Sequence, residues 1–136
     1  MITTSDLETQ KFGSDFAKYL KPGSTVALHG EIGAGKTTLV KGIIAALSEV
    51  PPHEIQSPTF TYLHLYDQGL HSICHFDLYR LNDKRTFIEM GFLDFLNSER
   101  ICLIEWPQII RSCLPSDTIH IHIAHMAEGK RSINVL

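Results

Sequence analysis

An α/β fold with a mixed parallel and antiparallel central sheet is predicted by three observations. The apolar run Thr25-Val-Ala-Leu28 leads through a glycine-rich loop into a stretch with apolar residues at helical spacing. The compact run Ile101-Cys-Leu-Ile104 reads as a second buried strand. Alternating segments around Asp67-Gln68-Gly69 and Glu128-Gly129-Lys130 read as hairpins.

Taken in order, Ser5-Asp-Leu-Glu8 has the form of a capping box. Leu7, Phe12, Phe16, Tyr19 and Leu20 follow at approximately helical intervals until Lys21-Pro22-Gly23, so a first helix is expected. The strand at Thr25 to Leu28 comes next. The helix after the loop carries Leu39, Val40, Ile43, Ile44 and Leu47 and is closed by Pro51-Pro52, which cannot continue a helix. Thr61 to Tyr66 and Leu70 to Phe76 form the arms of the first expected hairpin. Asp83 to Gly91 and Phe92 to Asn97 read as short helical pieces, and Gln108 to Cys113 as another. Ile119, Ile121 and Ile123 then alternate with His120 and His122, and Arg131 to Val135 returns as a closing strand. The Thr25 and Ile101 strands are expected to run parallel, and the hairpins antiparallel.

With 136 residues the chain suits one domain, residues 1–136, burying roughly two thirds of its unfolded surface. It is 43% hydrophobic and 20% charged, with no apolar stretch long enough to cross a bilayer. The N-terminus has acidic residues where a signal peptide has basic ones, so a cytoplasmic protein is expected. Cys74, Cys102 and Cys113 include no C-x-x-C pair, and reduced, mostly buried thiols are expected. A net charge of −3 argues against a broad basic face. Direct DNA binding is therefore not expected, and any role on nucleic acid should run through partners.

The loop Gly30-Glu-Ile-Gly-Ala-Gly-Lys-Thr-Thr38 fits G-x-x-x-x-G-K-[ST]. Backbone N–H groups can wrap phosphates only where small residues let the chain approach and turn, which Gly30, Gly33 and Gly35 permit. The helix N-terminus adds unpaired N–H groups and a positive dipole end. Lys36 is expected to reach the β- and γ-phosphates, and the Thr37 hydroxyl to ligate Mg²⁺. Such a loop needs a carboxylate from a neighbouring strand. Asp77 and Glu105 each follow an apolar run that would deliver an acid to the C-terminal edge of the sheet, where ligands of open α/β sheets bind.

Gly30 to Thr38, Ser57-Pro-Thr-Phe60, His75-Phe-Asp-Leu-Tyr-Arg80 and Ile104-Glu-Trp-Pro107, in this order and spacing, resemble the TsaE (YjeE) family over nearly the whole chain. The resemblance implies a three-layer P-loop NTPase-like fold. It also implies a small ATPase needed to make N6-threonylcarbamoyladenosine in tRNA, with ATP and Mg²⁺ as cofactors and the TsaD–TsaB pair as partner, meeting tRNA only through that complex. By position it implies that Gly33, Ala34, Gly35, Lys36, Thr37 and Thr38 hold the phosphates and that Thr37 and Glu105 take the metal. Asp77 would act beside them, on the metal or its water, making Lys36, Asp77 and Glu105 the catalytic set. Thr59 resembles a switch threonine on the γ-phosphate side, and Trp106 stands where the family has an aromatic beside the acid. Arg80 would stabilise charge on the transferring phosphate or face a partner. Further nucleotide contacts are expected from the terminal segments, near Asp6 and near Lys130 or Arg131. Glu31-Ile32 departs from the aspartate and leucine more usual in the family, a change expected to leave phosphate binding intact.

Two other functions fit a phosphate loop. A small-molecule kinase needs an arginine-rich lid, and only dispersed arginines, Arg80, Arg85, Arg100 and Arg111, are present. The other is a regulatory nucleotide-binding module without turnover, including a GTPase-like switch, and the absence of the guanine-reading N-K-x-D motif disfavours GTP. The histidine groups His120, His122, His125 and His71, Cys74, His75 lack a second paired set at zinc spacing, so zinc is not expected. His75 is expected to orient the Asp77 loop by a hydrogen bond.

Overall fold

The computed structural model describes residues 1–136. Its elements are β1 (Ile2–Thr3), α1 (Asp6–Phe16), β2 (Thr25–His29), α2 (Lys36–Leu47), β3 (Leu63–Tyr66), β4 (Ile73–Asp77), α3 (Lys84–Glu89), α4 (Leu93–Leu96), β5 (Ile101–Glu105), β6 (Ile119–His125) and β7 (Arg131–Val135). The strands form one sheet in the order β1-β7-β6-β2-β5-β4-β3. β6, β2, β5 and β4 run parallel, and β1, β7 and β3 pair antiparallel at the two sides.

Strand alternation divides the core into two halves. Ile101 and Leu103 of β5 join Val26, Leu28, Leu39 and Ile43 under α1 and α2. Cys102 and Ile104 point the other way, to Phe76, Phe87, Phe92 and Ile110. Helices thus cover both faces of a sheet whose inner strands are apolar on both sides, the arrangement expected of parallel strands.

Helix α1 begins as its sequence suggests, with the Ser5 hydroxyl accepting the Glu8 N–H at 3.1 Å. Glu8 does not close the box on Ser5; its carboxylate takes the N–H and hydroxyl of Thr4. Of the apolar residues at helical spacing, Phe12, Phe16 and Leu20 pack against the core, but the first and fourth do not. Leu7 and Tyr19 are 77% and 79% exposed, while Thr9 and Gly13 are buried. The reason is close helix approach: a Cβ on Gly42 of α2 would lie 2.0 Å from the Gln10 carbonyl oxygen, and one on Gly13 would lie 2.4 Å from that of Leu39.

The first hairpin is shorter than expected. Tyr62 has φ 67° and turns the chain, so β3 starts at Leu63 and not at Thr61. β4 starts at Ile73 and continues through Asp77, which makes that acid the last residue of the strand. The piece after β5 is a 3₁₀ helix from Pro107 to Cys113, interrupted by Ile110 at φ −113°, and not an α-helix. Cys74 and Cys102 are buried free thiols, and Cys113 is partly buried. The two-residue strand β1 was not expected; it pairs Ile2 with Ser132 and Thr3 with Arg131, bringing the start of α1 beside β7. No helix is long and apolar enough to cross a membrane.

Candidate nucleotide-binding site

The loop from Gly30 to Gly35 joins the C-terminal end of β2 to the first residue of α2, Lys36. Gly35 stands at φ 106°, a left-handed conformation, and a Cβ there would meet the Arg131 side chain at 2.5 Å. Glycine is therefore favoured by the backbone, and a side chain there would also have to displace the Arg131 guanidinium. A cleft of about 470 Å³ opens over this loop, lined among others by Gly33, Gly35, Lys36, Thr37, Thr38 and Thr59. Asp77, Arg80, Glu105, Trp106 and Arg131 line it as well.

The two acids arrive as strand-end residues in direct register, Asp77 of β4 against Glu105 of β5. Both are buried, and both lie on the face of the sheet that carries α2, since they share strand parity with Ile73 and Leu103. The Thr37 hydroxyl donates to Glu105 Oε1 at 2.9 Å. The other carboxylate oxygen, Oε2, lies 2.6 Å from His75 Nε2. Asp77 accepts from the Ser57 hydroxyl at 2.5 Å and from the Tyr79 N–H at 3.1 Å. The His75 bond therefore goes to Glu105 and not to the Asp77 loop; Ser57 and the Tyr79 backbone hold that loop instead.

Lys36 is almost wholly buried, and its ammonium donates to the carbonyls of Gly30 at 2.5 Å and Glu31 at 2.9 Å. It also sits 3.9 Å from the centre of the Trp106 ring. Burial draws its pKa down, and the charges of Glu105, Asp77 and Glu31 act in the opposite direction. Trp106 itself has φ 57° and ψ 58°, which turns the chain sharply after Glu105, and Tyr79 packs edge-on against its ring with centroids 4.8 Å apart.

Other expected residues are placed less directly. Ala34 is buried and contributes only backbone to the loop, with its N–H already bonded to the Glu31 carbonyl at 3.1 Å. Asp6 does not line the cleft; it reaches the site through Arg131, whose Nη1 donates to its carboxylate at 2.7 Å. Lys130 is outside the cleft. Arg80 lies over the exposed Phe60 ring, 4.7 Å from its centre. His120 and His122 meet His29 on the far face of the sheet, with His29 Nε2 2.9 Å from His120 Nδ1 and the His29 and His122 rings stacked at 4.5 Å.

The donor set of a hydroxyl and two carboxylates is all oxygen, the chemistry a hard divalent cation such as Mg²⁺ prefers. Neither buried carboxylate is in an ion pair with lysine or arginine. Such a pair of acids side by side calls for added positive charge, so the residues fit the metal. The contacts of Ser57 and of the Tyr79 N–H with Asp77, and the His75–Glu105 bond, were not expected. Ser57 and Tyr79 do stand in the sequence motifs, but the His75–Glu105 bond depends on the pairing of β4 with β5, which local pattern does not give.

The family model described as threonylcarbamoyl adenosine biosynthesis protein TsaE matches residues 3–133. A Treponema pallidum protein named tRNA threonylcarbamoyladenosine biosynthesis protein TsaE is 36% identical over 134 residues, covering 98% of this chain and 97% of its own. A Bacillus subtilis protein of the same name is 32% identical over 131 residues, covering 96% and 80%. The crystal structure of Bacillus subtilis YdiB superimposes with a TM-score of 0.78 at 29% identity, over 98% of this chain and 80% of that one. Sequence and fold agree from one end of the chain to the other, and the chain belongs to the TsaE family.

Proposed function

We propose that this chain is a single-domain, cytoplasmic, Mg²⁺-dependent ATPase that serves N6-threonylcarbamoyladenosine formation in tRNA by acting on the TsaD–TsaB complex. The observation that carries the reading is the hydrogen bond between Thr37 and Glu105, which joins the head of the phosphate-loop helix to an acid at the end of the neighbouring strand. Bound Mg²⁺ would neutralise phosphate charge and orient the γ-phosphate.

The protein's own groups divide the rest of the work. The loop from Gly33 to Thr38 would cradle the phosphates with its backbone N–H groups, that of Ala34 turning from the Glu31 carbonyl to do so, and Lys36 would leave the Gly30 and Glu31 carbonyls to reach the β- and γ-oxygens. Thr37 and Glu105 would hold the metal, with Asp77 beside them on the metal or its water. Thr59 would meet the γ-phosphate side. Arg131, steadied by Asp6, would cover the adenine side of the loop. Arg80 and Phe60, exposed at the rim, would carry the nucleotide state outward to the partner complex. The energy of hydrolysis then goes into conformation.

The test is tRNA modification in a reconstituted system containing TsaD and TsaB. Lys36→Ala and Glu105→Gln should each abolish the modification. Full modification by either variant contradicts the reading.

A further inference from the structure

We propose that His75 is a positioning residue for the metal–nucleotide complex: it occupies Oε2 of Glu105 so that Oε1 stays turned toward Thr37. The proposal deepens the functional reading above and rests on its assignment of Thr37 and Glu105 to the metal side.

Three observations carry it. Both side chains are buried, with His75 at 0% exposure and Glu105, at the floor of the cleft, at 2%. Each carboxylate oxygen has its own partner, Oε1 the Thr37 hydroxyl at 2.9 Å and Oε2 the His75 imidazole at 2.6 Å. The second imidazole nitrogen, Nδ1, is buried with no partner at all. An imidazole taken out of water with one nitrogen unsatisfied pays a desolvation cost, and its only polar return is the bond to Glu105.

Glutamate gives that bond a purpose. Its side chain has one more rotatable bond than an aspartate at such a strand end, and a single contact at Oε1 leaves the carboxylate free to swing. A second contact at Oε2 removes that freedom before ligand arrives. The strand register explains why His75 does this and Asp77 does not. His75 pairs with Leu103, two residues before Glu105, and reaches along the sheet on the same face. Asp77 stands directly opposite Glu105 but is an acid like it, and its oxygens are held away by Ser57 and the Tyr79 N–H. Groups that hydrogen-bond a metal-ligating side chain from behind typically change metal affinity or activity about 10–100-fold when removed.

The experiment measures Mn²⁺ affinity by electron paramagnetic resonance with a non-hydrolysable ATP analogue, and analogue affinity in EDTA, for wild type, His75→Leu, His75→Gln and His75→Asn. We expect His75→Leu to weaken Mn²⁺ about 10–100-fold while metal-free analogue affinity stays within about twofold. His75→Gln, whose longer amide can still donate to Oε2, should recover most of the loss, and the shorter His75→Asn should not. If His75→Leu does not fold, the Gln and Asn pair decides, and equal Mn²⁺ affinity in the two overturns the proposal. Wild-type Mn²⁺ affinity in a folded His75→Leu overturns it too, as does a parallel loss of metal-free binding, which marks a purely structural pair. A wild-type chain that binds the analogue but no Mn²⁺ removes the metal assignment itself, and the proposal with it.

Discussion

Thr37 and Glu105, 68 positions apart in the chain, meet through a hydroxyl-to-carboxylate hydrogen bond of 2.9 Å. Parallel pairing makes this possible, because β2 and β5 align Leu28 with Glu105 and so bring the acid level with the start of the phosphate loop. The bond places a neutral oxygen and an anionic one together at the N-terminus of α2, where the helix dipole and unpaired N–H groups also favour negative ligands.

Replacing Glu105 by glutamine keeps the shape of this contact and removes its charge. Nucleotide affinity measured without metal should change by less than about fivefold, while ATP hydrolysis should fall at least about 100-fold, as expected when an electrostatic group of the reaction is removed. Equilibrium binding and steady-state hydrolysis on one preparation check both halves.

Gly35→Ala sets a methyl group against the Arg131 side chain at a backbone angle of φ 106°. The left-handed strain alone costs about 1–2 kcal/mol, and moving Arg131 disturbs its pairing with Asp6. Urea denaturation should record the loss of stability, and nucleotide affinity should fall with it.

Gly42→Ala tests the packing of α1 on α2. The added carbon would sit 2.0 Å from the backbone oxygen of Gln10, a contact that no side-chain rotation relieves. Overpacking of this kind costs about 1–3 kcal/mol. A chemical-denaturation midpoint equal to wild type would show that the helices move apart freely.

The histidine cluster gives a pH dependence. Burial first, then the charges of His122, His120 and Arg111, holds the pKa of His29 down at about 4, from an ordinary 6.5. The unfolded chain therefore takes up a proton that the folded chain refuses, so this contribution to stability is intact above pH 6.5 and is lost as pH falls from 6.5 toward 4. In His29→Gln, the difference in denaturation midpoint between pH 7.5 and pH 4.5 should be smaller than in wild type. An identical difference in the two proteins would contradict the account.

How far the fold could be read depended on the kind of interaction. The phosphate loop, β2, α2, β5 and the closing hairpin follow from local patterns, and Asp77 and Glu105 stand at strand ends as their flanking apolar runs imply. Features set by contact between distant segments left no such pattern. Of the apolar spacing Leu7, Phe12, Phe16, Tyr19 and Leu20, the residues Phe12, Phe16 and Leu20 do pack on the core, but Leu7 and Tyr19 are exposed, and Thr9 and Gly13 are buried because two glycines let the helices touch. β1 is two residues long and exists only through its pairing with β7. Ser57 reaches Asp77 across a loop, and the Lys36 contact with Trp106 depends on a left-handed turn at a non-glycine residue that propensity would not suggest.

Coupling of the nucleotide site to a partner is tested by steady-state ATP hydrolysis by the purified chain, alone and with the TsaD–TsaB pair added, using Lys36→Ala as the blank. Hydrolysis should be low with the chain alone, rise when the pair is present, and be absent with Lys36→Ala. ATP consumption that is unchanged by the pair would contradict that coupling and turn the search toward a metabolite acceptor.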